Sequence, residues 1–182
     1  MQILVTVKGD GIQKLVVAVG SLHNRTPDAA RRALNHIGDK GRTLVKRALA
    51  DQIQAPQYAI MKYGKVRAIR ATYARLEYAI VSTGGPIPLK HFKPNQTAKG
   101  VSAAPWGRRR VYTHSFRHKK AMNGHVVWRV GKARLPVQRV AGPNVPKELV
   151  KDKSAAAFHK VSAELPDRLE HEIKVITDGI VS

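Results

Sequence analysis

Residues 30–53 carry the clearest hydrophobic pattern in the chain. Apolar side chains recur there at spacings of three and four, which places them on one face of a helix. Thr26, Pro27 and Asp28 come just before, and a hydroxyl, a proline and an acid in this order are typical of a helix start. We predict a long amphipathic helix that ends before Pro56. Its apolar stripe is Ala30, Ala33, Leu34, Ile37, Gly41, Leu44, Val45, Ala48, Leu49 and Ile53.

Gly38 and Gly41 lie within this helix, where glycine is an unusual choice. Two glycines so close together would let another element approach the helix backbone closely, including one from a sister subunit. We assign this face to the core of the chain, because an apolar stripe on a helix is core by default.

The two ends of the chain carry weaker patterns. Residues 2–7 predict a short strand, and Asp10 is placed to cap a helix over 12–22, although its valine-rich centre would also suit a strand. Apolar residues keep helical spacing from Phe158 to Ile180, but Pro166 must kink or split that element. We predict a C-terminal helical segment over residues 146–180.

The middle of the chain has the alternation of β-strands. Residues 65–81 predict two basic strands. Residues 124–130 (GHVVWRV) and the following RLPVQRV predict a hairpin with a turn at 131–134. We therefore predict an α+β fold over residues 1–182, a single domain with a long amphipathic N-terminal helix, a basic antiparallel β-sheet in the middle and a kinked C-terminal helix.

Residues 84–94 (GGPIPLKHFKP) are rich in proline, and they open a strap that we extend to residue 105. Proline fixes φ and pushes the preceding residue into an extended conformation, so this stretch should be stiff and extended. Its apolar side chains could dock on a neighbouring subunit, or equally on their own domain. The candidate interface residues are Pro86, Ile87, Pro88, Leu89, Phe92 and Trp106.

Charge is concentrated in the same region. The chain has 33 Lys and Arg against 12 Asp and Glu, a net charge of +21. Residues 52–147 contain nineteen of these basic residues and a single acid, Glu77. Because ordinary surfaces mix both signs, such a block indicates a polyanionic neighbour, with nucleic acid as the first candidate. An acidic partner protein would explain the charge equally well.

Other classes are disfavoured by composition. With no cysteine, disulfides, thiolate metal sites and cysteine nucleophiles are excluded. No apolar run reaches the roughly 18 to 20 residues of a membrane span, and no secretory signal pattern opens the chain, so we expect folding in the cytosol. We expect no cofactor and no small-molecule substrate.

Three histidines, His114, His118 and His125, raise the possibility of a nuclease. Hydrolytic metal sites need carboxylates beside imidazole, and residues 78–147 contain no Asp or Glu. The sequence HSFR, residues 114–117, matches the His-x-x-Arg of tyrosine recombinases, but no tyrosine follows Tyr112 to act as nucleophile. We therefore predict no metal site and no catalytic residues.

Arginines in the basic block are candidates for phosphate contact, because guanidinium groups suit bidentate phosphate binding. A solvated charge run is the alternative for the triple arginine at 108–110. Trp106 and Trp128 could stack on bases, although the pattern around Trp128 favours core or an interface. The predicted DNA-facing residues are Arg67, Arg70, Arg108, Arg109, Arg110, Arg117, Lys119 and Lys120.

The order of several motifs resembles a known family. GGPIPLKHFKP, then GVSA, WGRRRVY, HSF and GHVVWRVGKARLPVQRVAGPNVPKEL, is similar to the minor tail protein Z family of tailed phages and prophages, the tail completion proteins of lambda-like phages. The similarity is densest over residues 85–149. Its most specific parts are PIPLKHF, the R.GK.RLPV pattern and GP.VP in that order.

The resemblance implies a structural role without catalysis. Proteins of this family join the head-proximal end of the assembled tail, near the tail terminator and neck proteins, in the virion after assembly in the host cytoplasm. A homo-oligomeric ring around the DNA channel, with six subunits as the natural guess, follows from the resemblance. The alternative is a free-standing, sequence-independent nucleic-acid-binding protein.

Overall fold

A computed structural model of the protein describes residues 3–6, 26–118, 120 and 122–176. The helix predicted over residues 12–22 lies outside these ranges, as do residues 177–180 of the predicted C-terminal segment. The described helices are α1 (Thr26–Ile53), α2 (Gln57–Gly64), α3 (Val145–Leu149), α4 (Asp152–Ser162) and α5 (Leu165–Ile176), with short 3₁₀ turns at Leu89–His91 and Pro105–Gly107.

Short strands fill the middle of the chain. They are β1 (Ile3–Thr6), β2 (Val66–Ile69), β3 (Ala79–Ser82), β4 (Pro86–Pro88), β5 (Asn95–Thr97), β6 (Gly100–Ala103), β7 (Arg110–Thr113), β8 (Ser115–Arg117), β9 (Val126–Arg129), β10 (Val137–Arg139) and β11 (Ala141–Asn144). The predicted α+β fold, with its long first helix, antiparallel strands and bent C-terminal helix, is confirmed.

The strands of the described residues are divided among four small antiparallel sheets, with orders β1-β3-β2, β5-β6-β7, β10-β9-β8 and β11-β4. β9 and β10 form the hairpin that the sequence predicts. Frequent prolines and glycines keep each strand to three or four residues, because proline cannot donate to a ladder and glycine weakens it. The basic region is therefore a set of short sheets rather than one broad one.

A serine joins two of these sheets. The chain turns between β7 and β8 at His114, whose φ is 57°. The buried Ser115 hydroxyl accepts a hydrogen bond from the Val101 N–H (3.1 Å) and donates one to the Tyr112 carbonyl (2.6 Å). The Ser115 hydroxyl thus links the β5-β6-β7 and β8-β9-β10 sheets. A second link is the hydrogen bond that the Arg117 N–H of β8 donates to the Gln96 side chain of β5 (2.9 Å).

Helix α1 runs past two hydrophobic clusters. Its C-terminal half packs with α2, α3, α4, β6 and the strap around Leu49 and Ile53, both fully buried. Its N-terminal half packs with Ala71 and with the C-terminal helices through Leu165 and Leu169. The predicted stripe is accordingly buried along most of its length. The C-terminal helical segment formed by α4 and α5 is kinked by 34°. The sequence predicted a kink or a break in this segment because of Pro166.

A tyrosine explains one of the two helix glycines. The Tyr78 ring lies against Gly38, where a Cβ would come within 2.3 Å of ring carbons. A Cβ on Gly41 would instead lie 3.6 to 3.8 Å from side-chain carbons of Phe158 and Val161 on α4, which is ordinary contact. Both glycines serve packing within the chain, as assigned from the sequence.

The strap packs on its own chain. Ile87 and Leu89 are completely buried and Phe92 is 1 % exposed, all in the cluster below α1. β4 pairs with β11, and Gly84 and Gly85 donate backbone hydrogen bonds to the carbonyls of residues 64 and 63 (both 2.9 Å). Of the two docking alternatives, the intramolecular one is therefore what the fold contains.

Candidate nucleic-acid interface

The arginines proposed to face DNA fall into two groups once their contacts are considered. Some guanidinium groups are used inside the fold, and others project into solvent without an acidic partner. Only the second kind offers its full hydrogen-bonding capacity to a phosphate. The contacts of each predicted arginine therefore decide whether it can bind a phosphate.

Arg109 and Arg117 donate hydrogen bonds to other parts of the chain. Arg109 donates to the Ser102 hydroxyl (3.1 Å) and more weakly to the Lys93 carbonyl (3.4 Å). Arg117 donates to the Pro94 carbonyl (3.0 Å) and the Gly124 carbonyl (3.2 Å). These two side chains connect the strap to the central sheets, so structural support is their evident role.

Arg110 belongs to an aromatic cluster. Its Nε donates to the Tyr112 hydroxyl (2.8 Å), and its guanidinium lies over the Tyr112 ring at 5.0 Å and the Trp106 ring at 5.6 Å. Trp106 adopts a positive φ of 55° in its 3₁₀ turn and stays 39 % exposed. The arginine occupies the ring faces on which a base would otherwise stack.

Arg67 and Arg108 project into solvent. Arg67 makes one long hydrogen bond to the Thr83 hydroxyl (3.4 Å), and Arg108 is exposed beside the Trp106 turn. Arg70 is exposed too, but it forms an ion pair with Asp39 of α1. Lys119 lies outside the described residues. The candidates therefore belong to different sheets or to the loops beside them.

Lys120 lines a polar groove of about 540 Å³ with His125 and Arg139. Burial, together with the positive charges of Lys90 and Arg139, lowers the pKa of His125. His125 is 8 % exposed, and its Nδ1 has no hydrogen-bond partner among the described residues. The β9–β10 hairpin above adds the exposed side chain of Arg129, which lies over the Phe116 ring at 5.2 Å.

The candidate interface residues of the strap separate by exposure. Pro86 is exposed and Pro88 half-buried, whereas Ile87, Leu89 and Phe92 lie in the core and are not offered to a partner. Trp106 remains exposed. The hypothesis that the three buried side chains dock on another subunit is corrected, because their apolar surface is already covered by the same chain.

Trp128 does not lie in the core that its sequence pattern favoured. It is 39 % exposed on β9, and its Nε1 donates to the Gln138 side chain on β10 (3.2 Å). Val126 and Val127 at the start of β9 are buried, whereas Trp128 and Arg129 near its end are exposed. Apolar residues flanking a tryptophan therefore do not guarantee its burial. Its other assignment, an interface, stays a prediction.

The histidines are dispersed in role. His114 occupies the turn between β7 and β8, and His125 is buried. Within residues 3–6, 26–118, 120 and 122–176, no three His, Asp or Glu side chains gather as a set of metal ligands. In those same ranges, none of the helices combines the length and hydrophobicity needed to cross a bilayer.

Two basic residues of α1 were not singled out from the sequence. Arg42 and Lys46 lie one turn apart, off the apolar stripe, and share a groove with Arg70. A signal was present, because the two cations stand at i and i+4 with Gly38 and Ala50 as the next positions along that row. Like charges at this spacing repel one another unless an anion joins them.

Comparisons with known proteins add no relative. A scan against family models, a search of curated proteins and a search of solved structures each found no match to this chain. The resemblance to phage tail proteins therefore rests on the motifs of the sequence.

Proposed function

We propose that this protein is a structural component of a phage or prophage tail, which completes the tail at its head-proximal end as a ring subunit around the DNA channel. The role is one of assembly, without catalysis. Its partners are further copies of the chain, six in the natural arrangement, together with the tail terminator and other neck proteins, and duplex DNA held by non-specific phosphate contacts.

The observation that carries this proposal is the acid-poor middle of the chain. Between residues 52 and 147 a single acid accompanies nineteen cations, and Glu77 is already paired with Arg75 (2.7 Å). Exposed cations such as Arg67 and Arg108 are therefore not neutralised locally. A channel that passes DNA must offset phosphate repulsion without recognising bases, and exposed cations without an acidic partner suit that task.

Duplex DNA binding as a function of salt tests the charge argument. For a sequence-independent contact, the logarithm of the affinity should fall linearly with the logarithm of salt concentration, by about 0.9 per neutralised phosphate. Duplexes of unrelated sequence should bind equally. A flat salt dependence would remove DNA from the proposal and favour an acidic protein partner.

Assembly tests the tail role itself. Tails produced without this protein should fail to join DNA-filled heads, and adding the purified protein should restore joining. Light scattering should show either self-association or binding to such tails. Joining that proceeds equally well without the protein would contradict the proposal.

The second candidate is a free-standing nucleic-acid-binding protein. The high net charge of +21 favours it independently of the motifs. A monomer that binds DNA tightly and has no effect on head joining would support this candidate over the tail protein.

A further inference from the structure

A polar groove lies between α1 and the edge strand β2. Its volume is about 490 Å³, and Ala68 of β2 contributes apolar lining. β2 is an edge strand because its sheet has the order β1-β3-β2. The remaining lining comes from Asp39, Arg42, Thr43, Lys46 and Arg70.

The one carboxylate of this lining is already committed. Asp39 accepts hydrogen bonds from Arg70 and from the Tyr78 hydroxyl, the latter at 2.9 Å. Burial opposes ionisation of Asp39, but the hydrogen bonds from Arg70 and Tyr78 outweigh it and hold the pKa of this carboxyl below its ordinary value. Asp39 therefore stays ionised, and its charge balances Arg70.

Arg42 and Lys46 have no comparable partner. Neither side chain forms an ion pair or a hydrogen bond within the part of the chain that the structure describes, although Arg42 is close enough to Asp39 to favour its ionised form. The Arg42 Nε is shielded from solvent without an acceptor. Burial, followed by the charge of Arg42, lowers the pKa of Lys46.

These features suit the binding of an anion. Two half-buried cations line the groove one helical turn apart. The Arg42 Nε also lacks an acceptor among the described residues, although buried polar groups normally have one. Arg42 supplies directional N–H groups and Lys46 a compact point charge, the two kinds of donor that proteins use for phosphate. The mainly polar lining offers little apolar surface to a base or a fatty acyl chain.

We propose that the groove between α1 and β2 binds a phosphate group, with Arg42 and Lys46 as its ligands and Arg70, oriented by Asp39, beside them. The source of the phosphate depends on the proposed function: it is a phosphodiester of duplex DNA if the protein contacts DNA, and free phosphate otherwise. In either case the phosphate-binding surface extends onto α1, outside the acid-poor block of the sequence.

The test uses substitutions that remove one charge each. Arg42→Gln and Lys46→Gln, alone and together, address the groove. Arg47→Gln is the matched control, because Arg47 is the next residue of the same helix and is exposed away from the groove lining. All four variants are first compared with the original protein by circular dichroism and urea unfolding, which identifies any loss of folding.

Two titrations follow on the intact protein. In the first, duplex DNA binding is measured by fluorescence anisotropy over a range of KCl concentrations. Each groove substitution should reduce the salt slope by about 0.9, and the double variant by about 1.8. Arg47→Gln should leave the slope nearly unchanged.

In the second titration, inorganic phosphate is added at constant ionic strength and binding is followed by NMR chemical shifts. The original protein and Arg47→Gln should show saturable shifts at Arg42 and Lys46 neighbours, and the double variant should lose them. The same titration with sulfate shows whether the site also binds another tetrahedral oxyanion.

The outcomes separate this inference from the proposed function. Loss of both DNA slope and phosphate shifts in the double variant supports both ideas. If the original protein shows phosphate shifts but does not bind DNA, the groove is a site for free phosphate and the proposed DNA contact is contradicted. DNA binding that is equally strong in the double variant, with no phosphate shifts in the original protein, overturns the groove.

Discussion

The contact between Tyr78 and Gly38 shows how one missing side chain shapes the centre of the protein. Tyr78 is 2 % exposed, and its ring occupies the space that a Cβ on Gly38 would need. Burial and the nearby Asp39 carboxylate raise the pKa of the Tyr78 hydroxyl, so it remains a donor to Asp39. The glycine thereby lets the tyrosine reach across to α1.

Gly38→Ala should destabilise the protein by about 1–3 kcal/mol, because the ring must move to admit the new methyl group. Gly41→Ala is the control on the same helix, with the nearest atoms at 3.6 Å. It should be neutral or stabilise by about 0.5–1 kcal/mol, since alanine favours a helix interior over glycine. Urea unfolding measures both, and equal effects would contradict this account of Gly38.

Single arginines mark the limit of what the sequence predicts about the site. Arg108 and Arg109 are neighbours in the same basic run and both are exposed, yet Arg109 donates to the Ser102 hydroxyl whereas Arg108 has no acidic partner among the described residues. Arg117 donates to two backbone carbonyls that no sequence pattern places nearby. Charge and spacing predicted a cationic region, but the choice between structural and free arginines depends on tertiary contacts.

At the scale of elements, the strap is the part whose role the structure decides most clearly. Residues Pro86–Pro88 are extended, but a 3₁₀ turn follows at Leu89–His91 and Lys93 has a positive φ of 47°, so the prediction of an extended stretch is wrong beyond residue 88. Ile87 and Leu89 enter the core while Pro86 stays outside. Gly142 of β11 allows this close packing, because a Cβ there would lie 2.5 Å from the Ile87 carbonyl oxygen. The strap is thus a closing element of the fold.

Ile87→Ala should reduce the free energy of unfolding by about 2–5 kcal/mol, since it leaves a cavity in a fully buried site. Pro86→Ala should cost only about 0.4–1 kcal/mol, through the greater freedom of the unfolded chain. Chemical unfolding of both variants gives the comparison. If Ile87→Ala proved as mild as Pro86→Ala, the strap would not be part of the core.

The elements themselves were predicted with uneven success. The stripe of α1 and the β9–β10 hairpin follow from strong local periodicity, and both are confirmed. Helix α2 was not predicted, since its eight residues (QYAIMKYG) are too short for a clear period and begin directly after Pro56. β3 is buried at all four positions rather than alternating, which shows that both faces of this strand are covered.

For the molecule as a whole, charge opposes compactness. The net charge is +21, and the described ion pairs, such as Lys153–Asp51 at 2.6 Å, are mostly exposed at the surface. Exposed pairs contribute little to stability, whereas repulsion among many like charges acts over the whole surface. The excess of cations therefore opposes folding, and the proposed binding of a polyanion would relieve that repulsion.

Raising the KCl concentration from about 0.05 to about 0.3 M should increase the free energy of unfolding. The shorter screening length weakens the repulsion among the surface cations. The same ionic strength reached with potassium phosphate should give a larger increase if an anion site is occupied as well. Thermal and urea unfolding measure both series. A decrease with KCl would mean that attractive pairs outweigh the repulsion.

Because α1 contributes to both hydrophobic clusters, the order in which the chain is synthesised determines when each half of this helix can be buried. Its N-terminal half rests on Leu165 and Leu169, residues that leave the ribosome more than a hundred positions later. At a synthesis rate of roughly 5–20 residues per second, Ala33 and Leu34 wait several seconds for their permanent cover. A truncated product that stops before α5 would leave this apolar surface of α1 exposed. Nascent chains of this protein should therefore bind chaperones that recognise exposed apolar segments.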